Sequence, residues 1–361
     1  MRTQKWNIGW GPVSSCNMNC AFCYSKSKRK DSKDLTLEDW IRFIDENARF
    51  INSINFGTGE NTLSRDWFTL IKHIRENYPN IRMSLTTNGH LSEAVSKNND
   101  LYQIFIDAID EVDVSLDFAD EQKHNSFRGQ PRAYNWALNT LKLCQDTGKR
   151  ATIVFLGSAV NVSKEQIDGL FSIALRYNAI LRMNIYRPTD GINSFTSRFI
   201  MDYKALVDTL TYISENYKII ALNDTLFSSI LTNETVADPS GDLSIRVLAD
   251  GSITPSTYLI KTEHVIGNIT EPQILPSLWQ RLEERPILGF HLPHECNGCV
   301  YSDTCGGGVF DRRMLWYGTL DRKDPYCPCV FTDRPNQKLA VSKENFESVH
   351  DGYLPTIFFK P

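Results

Sequence analysis

Three thiols stand close together near the start of the chain, in Cys16-Asn17-Met18-Asn19-Cys20-Ala21-Phe22-Cys23, a C-x3-C-x2-C run. Cysteine thiolates are soft ligands that suit zinc or iron–sulfur centres. Zinc sites usually take four protein ligands, and no fourth Cys or His lies near this run. A four-iron cluster held by three thiolates leaves one iron open, able to bind and reduce a small molecule. A second group comprises Cys296-Asn297-Gly298-Cys299, Cys305, Cys327 and Cys329, and four of its thiols could hold iron–sulfur or zinc. Eight of the nine cysteines fall in these two groups, which in an intracellular chain reads as metal ligation rather than as disulfides. Cys144 stands alone on an amphipathic stretch with Leu141 and Leu143 and is expected in the core.

The elements that must position these groups follow from apolar spacing and caps. Strands are expected at 6–11, 54–56, 82–87, 112–117, 150–156 and 180–186. Helices are expected after the N-caps Thr36, Ser64 and Ser163, and around 101–109, 134–145 and 202–217. Six strand–helix alternations predict a parallel sheet with outer helices, whose site lies at the C-terminal ends of the strands. The cluster loop, Gly57-Thr58-Gly59-Glu60, Asn88, Ser115 and Asp117 all fall at or near such ends. Weak periodicity over 220–240, with Asp238-Pro239-Ser240-Gly241, places a boundary there. The expected division is 1–225, 226–335 and an extension, 336–361, packing on the body or a partner. A hairpin over 243–254 is expected to turn at Asp250-Gly251 by a type I′ turn.

With 361 residues and a net charge of −4, the chain gives no reason to expect nucleic acid as a partner. The run Lys26-Ser27-Lys28-Arg29-Lys30 reads as a solvated loop. No apolar run is long enough to span a membrane, and Met1 to Trp6 leads straight into a strand with no signal peptide expected.

The cysteine spacing, with an aromatic before the third Cys, resembles the cluster loop of the radical S-adenosylmethionine (SAM) superfamily, and Gly57-Thr58-Gly59-Glu60 resembles its Gly-Gly-Glu motif. The resemblance implies a partial (β/α)6 barrel. It also implies a 4Fe–4S cluster on Cys16, Cys20 and Cys23, with SAM at the open iron. Gly57, Gly59 and Glu60 would then face the SAM ammonium. Asn88, Ser115 and Asp117 would meet its ribose or methionyl groups. Arg128 would meet a carboxylate, of SAM or of a neighbouring residue. Arg182 and Arg187 bracket the sixth strand, and one of them is expected at the barrel mouth.

Cys296-x2-Cys299-x5-Cys305 with a distant Cys resembles the SPASM domain, as do the stretches 250–255 and 267–269. A smaller SPASM- or twitch-like domain with an auxiliary 4Fe–4S cluster is implied, on Cys296, Cys299, Cys305 and Cys327, or Cys329 in place of Cys327. Ser256 and Val309 stand where a full SPASM domain has cysteines, so the auxiliary cluster nearer the active site is expected to be missing. The freed space around Ser256, Thr257 and Tyr258 would then join the substrate pocket.

These resemblances point to radical maturation of a ribosomally made precursor peptide, most similar to the maturases of Nif11-type precursors. These include spliceases that excise tyramine and leave an α-keto-β-amino acid; cross-linking and epimerisation are sibling chemistries. A separate small leader-peptide-recognition protein and a reductant such as flavodoxin or ferredoxin are the expected partners. The alternative is a dehydrogenase or decarboxylase of a sugar, aminocyclitol or other small metabolite. No residue is assigned a catalytic proton or hydrogen transfer.

Overall fold

A period of two in the strands separates the outside of the barrel from its inside. In the first strand, β1 (Trp6–Trp10), Trp6, Ile8 and Trp10 alternate with Asn7 and Gly9. The apolar set packs on helices. Trp6 stacks on Trp279 of helix Ile274–Glu283, and Trp10 meets Phe43 of helix Leu37–Asn47 edge-on. Phe56 of β2 (Ile51–Phe56) meets Trp67 of helix Arg65–Asn77. The other set points inward and is polar, through β3 (Arg82–Thr87), β4 (Glu111–Ser115), β5 (Arg150–Gly157) and β6 (Ile180–Ile185). Asn7 accepts from Ser53, Asn55 donates to Ser84 and Thr86, Thr86 donates to Asp113, and Arg182 donates to Asp113. Buried parallel strands usually read as continuous apolar runs, and barrel interiors usually fill with branched side chains. Here the interior is a hydrogen-bonded polar space.

The computed structural model describes residues 4–30, 32–284, 292–328, 338–342, 344, 346–350 and 352–361. Its strands form one sheet, completed by β7 (Lys218–Asn223), β8 (Ser244–Val247), β9 (Ser252–Thr254), β10 (Gly267–Asn268) and β11 (Thr356–Lys360). The order is β10-β9-β8-β1-β2-β3-β4-β5-β6-β11-β7. Strands β1 to β6 run parallel in chain order, and β8 joins β1 in parallel on the other side. The hydrogen-bonded sheet therefore crosses residue 225 and continues into the 226–335 stretch. Thr36, Ser64, Ser163 and Asp202 each accept a backbone N–H at the start of their helices, a contact worth about 1 kcal/mol apiece.

The structure departs from the sequence reading in several places. The stretch with weak periodicity holds β7 and helix Thr225–Thr232, N-capped by Asp224. Strand β4 ends at Ser115, leaving Asp117 in the loop beyond it. The hairpin turn is not type I′, because only Gly251 has a positive φ, +80°, and Ala249 and Asp250 do not. Gly251 N–H closes on Leu248 O, so the turn is a three-residue loop with glycine in the left-handed position. Residues Lys26–Lys30 form a short helix, and Arg29 turns inward instead of being solvated.

The C-terminal residues enter the barrel. Strand β11 runs antiparallel between β6 and β7. Ahead of it, Ser348 Oγ and Val349 N–H donate to Glu111 at the start of β4, and Gly352 O accepts from Asn7 of β1. His350, Tyr353 and Leu354 thereby close the interior from below.

Candidate active site

Cys16, Cys20 and Cys23 line one cavity of about 200 Å³ at the C-terminal ends of the strands. Their loop is held by its own turns, with Cys23 N–H on Cys20 O, and by Arg29, whose Nη1 donates to Ser14 O. Burial raises the pKa of Cys16, and pushes Cys20 up to about 11, so these two thiols keep their protons when free. A bound metal would displace them. Asn88 Nδ2 lies 3.7 Å from Cys16 Sγ, and Arg29 Nη2 lies 3.7 Å from Cys23 Sγ. Donors and a cation beside three thiols, one buried and two partly exposed, fit an anionic iron–sulfur cluster. Among the described residues no three His, Cys, Asp or Glu groups converge on a single-ion position; in a four-iron cluster the thiolates are shared out over several irons.

The turn after β2 packs directly on this loop. Glu60 N–H donates to Ser15 O, and a Cβ on Gly59, whose φ is +65°, would press on Ser15 O at 2.7 Å. Thr58 also has a positive φ, +80°, a strained conformation for a β-branched residue and one met at ligand sites. Gly57 and Gly59 line the cavity, but Glu60 does not. Its carboxylate is fully buried and accepts from Thr62 Oγ1, Thr87 Oγ1 and Asn88 N–H. Burial raises its pKa against those donors. Glu60 therefore holds the β3 end, and through it Asn88, instead of facing a ligand's ammonium.

Asp117 and Arg128 form a buried ion pair at 2.6 Å. The neighbouring-residue alternative for Arg128 is the arrangement seen. Asp117 also accepts from Leu156 N–H, and its own N–H donates to His124 Nδ1. Burial pushes the His124 pKa down to about 2, so the imidazole stays neutral and can accept. Arg128 lies over the Phe22 ring, which stacks on Phe127 at 4.0 Å. The aromatic before the third Cys is thus a wall between the thiol loop and helix Glu121–Arg128. Asn88, Ser115, Asp117 and Arg128 all line the cavity.

Sequence reasoning left Arg182 and Arg187 as alternatives; both line the cavity. Arg182 pairs with Asp113 and Arg187 with Asp311, each about nine-tenths or more buried. Arg246, Asn55, Tyr24, His350 and Tyr353 also line it and were missed. A charged residue in the apolar strand 244–247 was the available signal for Arg246; nothing in the sequence pointed to His350. Burial raises the pKa of Tyr24 and of Tyr258, so both stay neutral donors. Thr257 and Tyr258 line the cavity as expected, but Ser256 does not: it is buried and donates to Asp311. Cys144 is in the apolar core.

The second cysteines close on a much smaller space. Cys296, Cys299, Cys305 and Cys327 surround a cavity of about 20 Å³, with Leu226 and Ile230 of helix Thr225–Thr232. Cys329 lies outside the described residues. Cys327 N–H donates to Asp324 O, and Asp324 N–H to Gly307 O, which draws the two cysteine segments together. Arg312, wholly buried, bridges Asp224 and Asp324 and so ties this region to the helix cap after β7. Burial raises Cys296 and Cys305. Four thiols around one small space suit a cluster that shares its ligands over several irons, and not a single ion.

A family profile described as "Radical SAM superfamily" matches residues 11–168. Mycofactocin maturase MftC of Mycolicibacterium smegmatis is 24% identical over 333 residues, covering 89% of this chain and 82% of that protein. Fe-coproporphyrin III synthase of Methanosarcina barkeri is 31% identical, covering 89% of this chain and 87% of the relative. In structure the fold is shared with SuiB of Streptococcus suis bound to S-adenosylmethionine, with a TM-score of 0.70 at 17% identity, over 90% of this chain and 78% of that one. SuiB bound to its precursor peptide SuiA gives 0.69, also at 17% identity, over 90% and 76%.

Proposed function

The chain belongs to the radical SAM superfamily, and from that premise we propose that it matures a ribosomally made precursor peptide. The observation that carries the reading is the chain-long likeness to a maturase, supported by a neighbouring fold crystallised with its precursor peptide. Cys16, Cys20 and Cys23 would hold a 4Fe–4S cluster with SAM at its open iron, and these would supply, by reductive cleavage of SAM to a 5′-deoxyadenosyl radical, the power to take hydrogen from an unactivated C–H bond. The protein binds and orients. Asn88 and Arg29 steady the thiolates, and the Gly57–Gly59 backbone offers acceptors to the SAM ammonium. Arg128 pairs with Asp117 and holds it in place beside Ser115 for the remaining SAM groups. Phe22, Leu156 and Tyr186 wall the cavity and exclude water from the reacting carbon.

Cys296, Cys299, Cys305 and Cys327 would hold an auxiliary 4Fe–4S cluster, with all four positions taken by the protein, in a domain spanning 226–335. A small leader-recognition protein delivers the peptide, a flavodoxin or ferredoxin supplies electrons, and the cytoplasm is the setting. Backbone splicing with tyramine excision is the modification favoured by the sequence likeness, ahead of cross-linking or epimerisation. Mass spectrometry of a neighbouring-gene peptide, after anaerobic reaction with reconstituted enzyme, SAM and reductant, tests this. A SAM-dependent mass change is expected, and its size separates excision from cross-linking. An unmodified peptide, with the leader-recognition protein present, overturns the reading.

A second reading, small-molecule chemistry, is favoured by the 31% identity to a protein named for an iron porphyrin product. Under it, 5′-deoxyadenosine formation rises on adding a porphyrin and not on adding peptide.

A further inference from the structure

Three guanidinium groups are built into the cavity wall, and their hydrogen bonding is incomplete. Arg182, Arg187 and Arg246 are 2%, 3% and 1% exposed, and all line the cavity. Arg182 gives Nη2 to Asp113, while Nε and Nη1 have no partner. Arg187 gives Nε to Asp311 and Nη1 to Ile185 O, while Nη2 has none. Arg246 gives Nη1 to Tyr353 Oη, and Nη2 to Gly57 O and Thr58 Oγ1, while Nε has none. Asp113 and Asp311 neutralise the first two. Arg246 has only neutral partners among the described residues. His350, beside Asp113, adds no charge, since burial lowers its pKa.

The wall therefore carries one uncompensated buried positive charge and four unused donor nitrogens. A buried charge without a counter-ion is strongly unfavourable, and a guanidinium fork matches a carboxylate. The chain makes room for this arrangement: a Cβ on Gly9 would overlap Tyr353 Oη and come within 2.8 Å of Arg246 Nη1. The cations beside the thiols, Arg29 and Arg128, are separate from this wall, being engaged with Cys23 and Asp117.

We propose that this wall is a carboxylate receptor, in which Arg246, assisted by the free N–H groups of Arg182 and Arg187, seats a carboxylate of the substrate. The proposal rests on the cavity being the substrate site; on the peptide reading the group is an acidic side chain or a C-terminus. The carboxylate of SAM is the other possible source, and the test separates the two.

Reconstituted wild-type enzyme, Arg246→Gln and Arg246→Lys are compared in two measurements. The first is thermal unfolding with succinate against succinamide at matched ionic strength. The second is equilibrium binding of labelled SAM. Succinate, but not succinamide, is expected to raise the unfolding temperature of the wild type by about 2–4 °C and to leave Arg246→Gln unmoved. SAM affinity is expected to fall by less than about tenfold in both variants, through the lost Arg246 contacts to Gly57 O and Thr58 Oγ1. A tenfold or larger loss of SAM affinity with the succinate shift retained would assign Arg246 to SAM and overturn the substrate role. A succinate shift absent from the wild type, or equal in all three proteins, overturns the receptor. Should Arg246→Gln fail to fold, Arg246→Lys decides: it keeps the charge but lacks the fork, and is expected to show less than half the wild-type shift. Because the probe is a small dianion, succinate, and not a peptide, a wrong peptide assignment leaves the outcome readable.

Discussion

The two cysteine regions use the same ligand chemistry with opposite amounts of room. Cys16, Cys20 and Cys23 sit at the edge of a cavity of about 200 Å³, whereas Cys296, Cys299, Cys305 and Cys327 close around about 20 Å³. Each region has an arginine beside it, partly buried in the first and wholly buried in the second. Arg128 spends one contact on Asp117 and lines the open cavity, while Arg312 is consumed by Asp224 and Asp324. The difference parallels that between catalytic and structural metal sites: a ligand position left free makes chemistry, and a complete set makes stability.

That contrast can be broken first at the thiols. Cys16→Ser is expected to abolish SAM cleavage, with 5′-deoxyadenosine below about a thousandth of wild type, because the open cluster is lost. Cys305→Ser is expected to halve the iron content while leaving SAM cleavage within about tenfold. Iron analysis alongside 5′-deoxyadenosine chromatography reads both, and equal losses from the two variants would erase the distinction. A smaller effect is expected at Arg312. Arg312→Met strands two buried carboxylates and should lower unfolding stability by about 3–5 kcal/mol. Denaturant titration measures this, and SAM affinity should not change, since Arg312 does not line the first cavity. The smallest effect distinguishes the regions by acid. His124, beneath the first site, has a folded pKa near 2 against an unfolded value near 6.5. Its stabilising contribution is complete above pH 6.5 and is lost as pH falls toward 2, at about 1.4 kcal/mol per unit. Replacement by Gln should remove one proton from the pH slope of unfolding between pH 6 and 5; an unchanged slope would mean that His124 is not held neutral.

Much of the barrel was legible because local signals agreed. Thr36, Ser64 and Ser163 cap the helices expected of them, and β3 matches its expected span. The cavity residues at strand ends were legible for the same reason, since strand order converts ends into neighbours. Glu60 shows the limit: the motif gave its position, but only packing could show that its oxygens are used on Thr62, Thr87 and Asn88. Asp113, Arg182 and Arg246 were visible as polar residues at alternate strand positions, a pattern that betrays a polar lumen and that helix–strand counting passes over. His350 and Tyr353 were beyond reach, because their place depends on pairings across most of the chain, as between Val349 and Glu111.

Strand β11 gives the molecule an order of assembly. It lies between β6 and β7, and the residues just before it floor the cavity. A nascent chain translated only as far as the second cysteine region would carry β6 and β7 with unpaired edges facing each other, the kind of edge that invites wrong pairing. The pocket comes into being only after residue 360 has left the ribosome, and through contacts of high sequence separation, which form slowly. A C-terminal truncation would therefore act as a defect of biogenesis, felt before any substrate arrives.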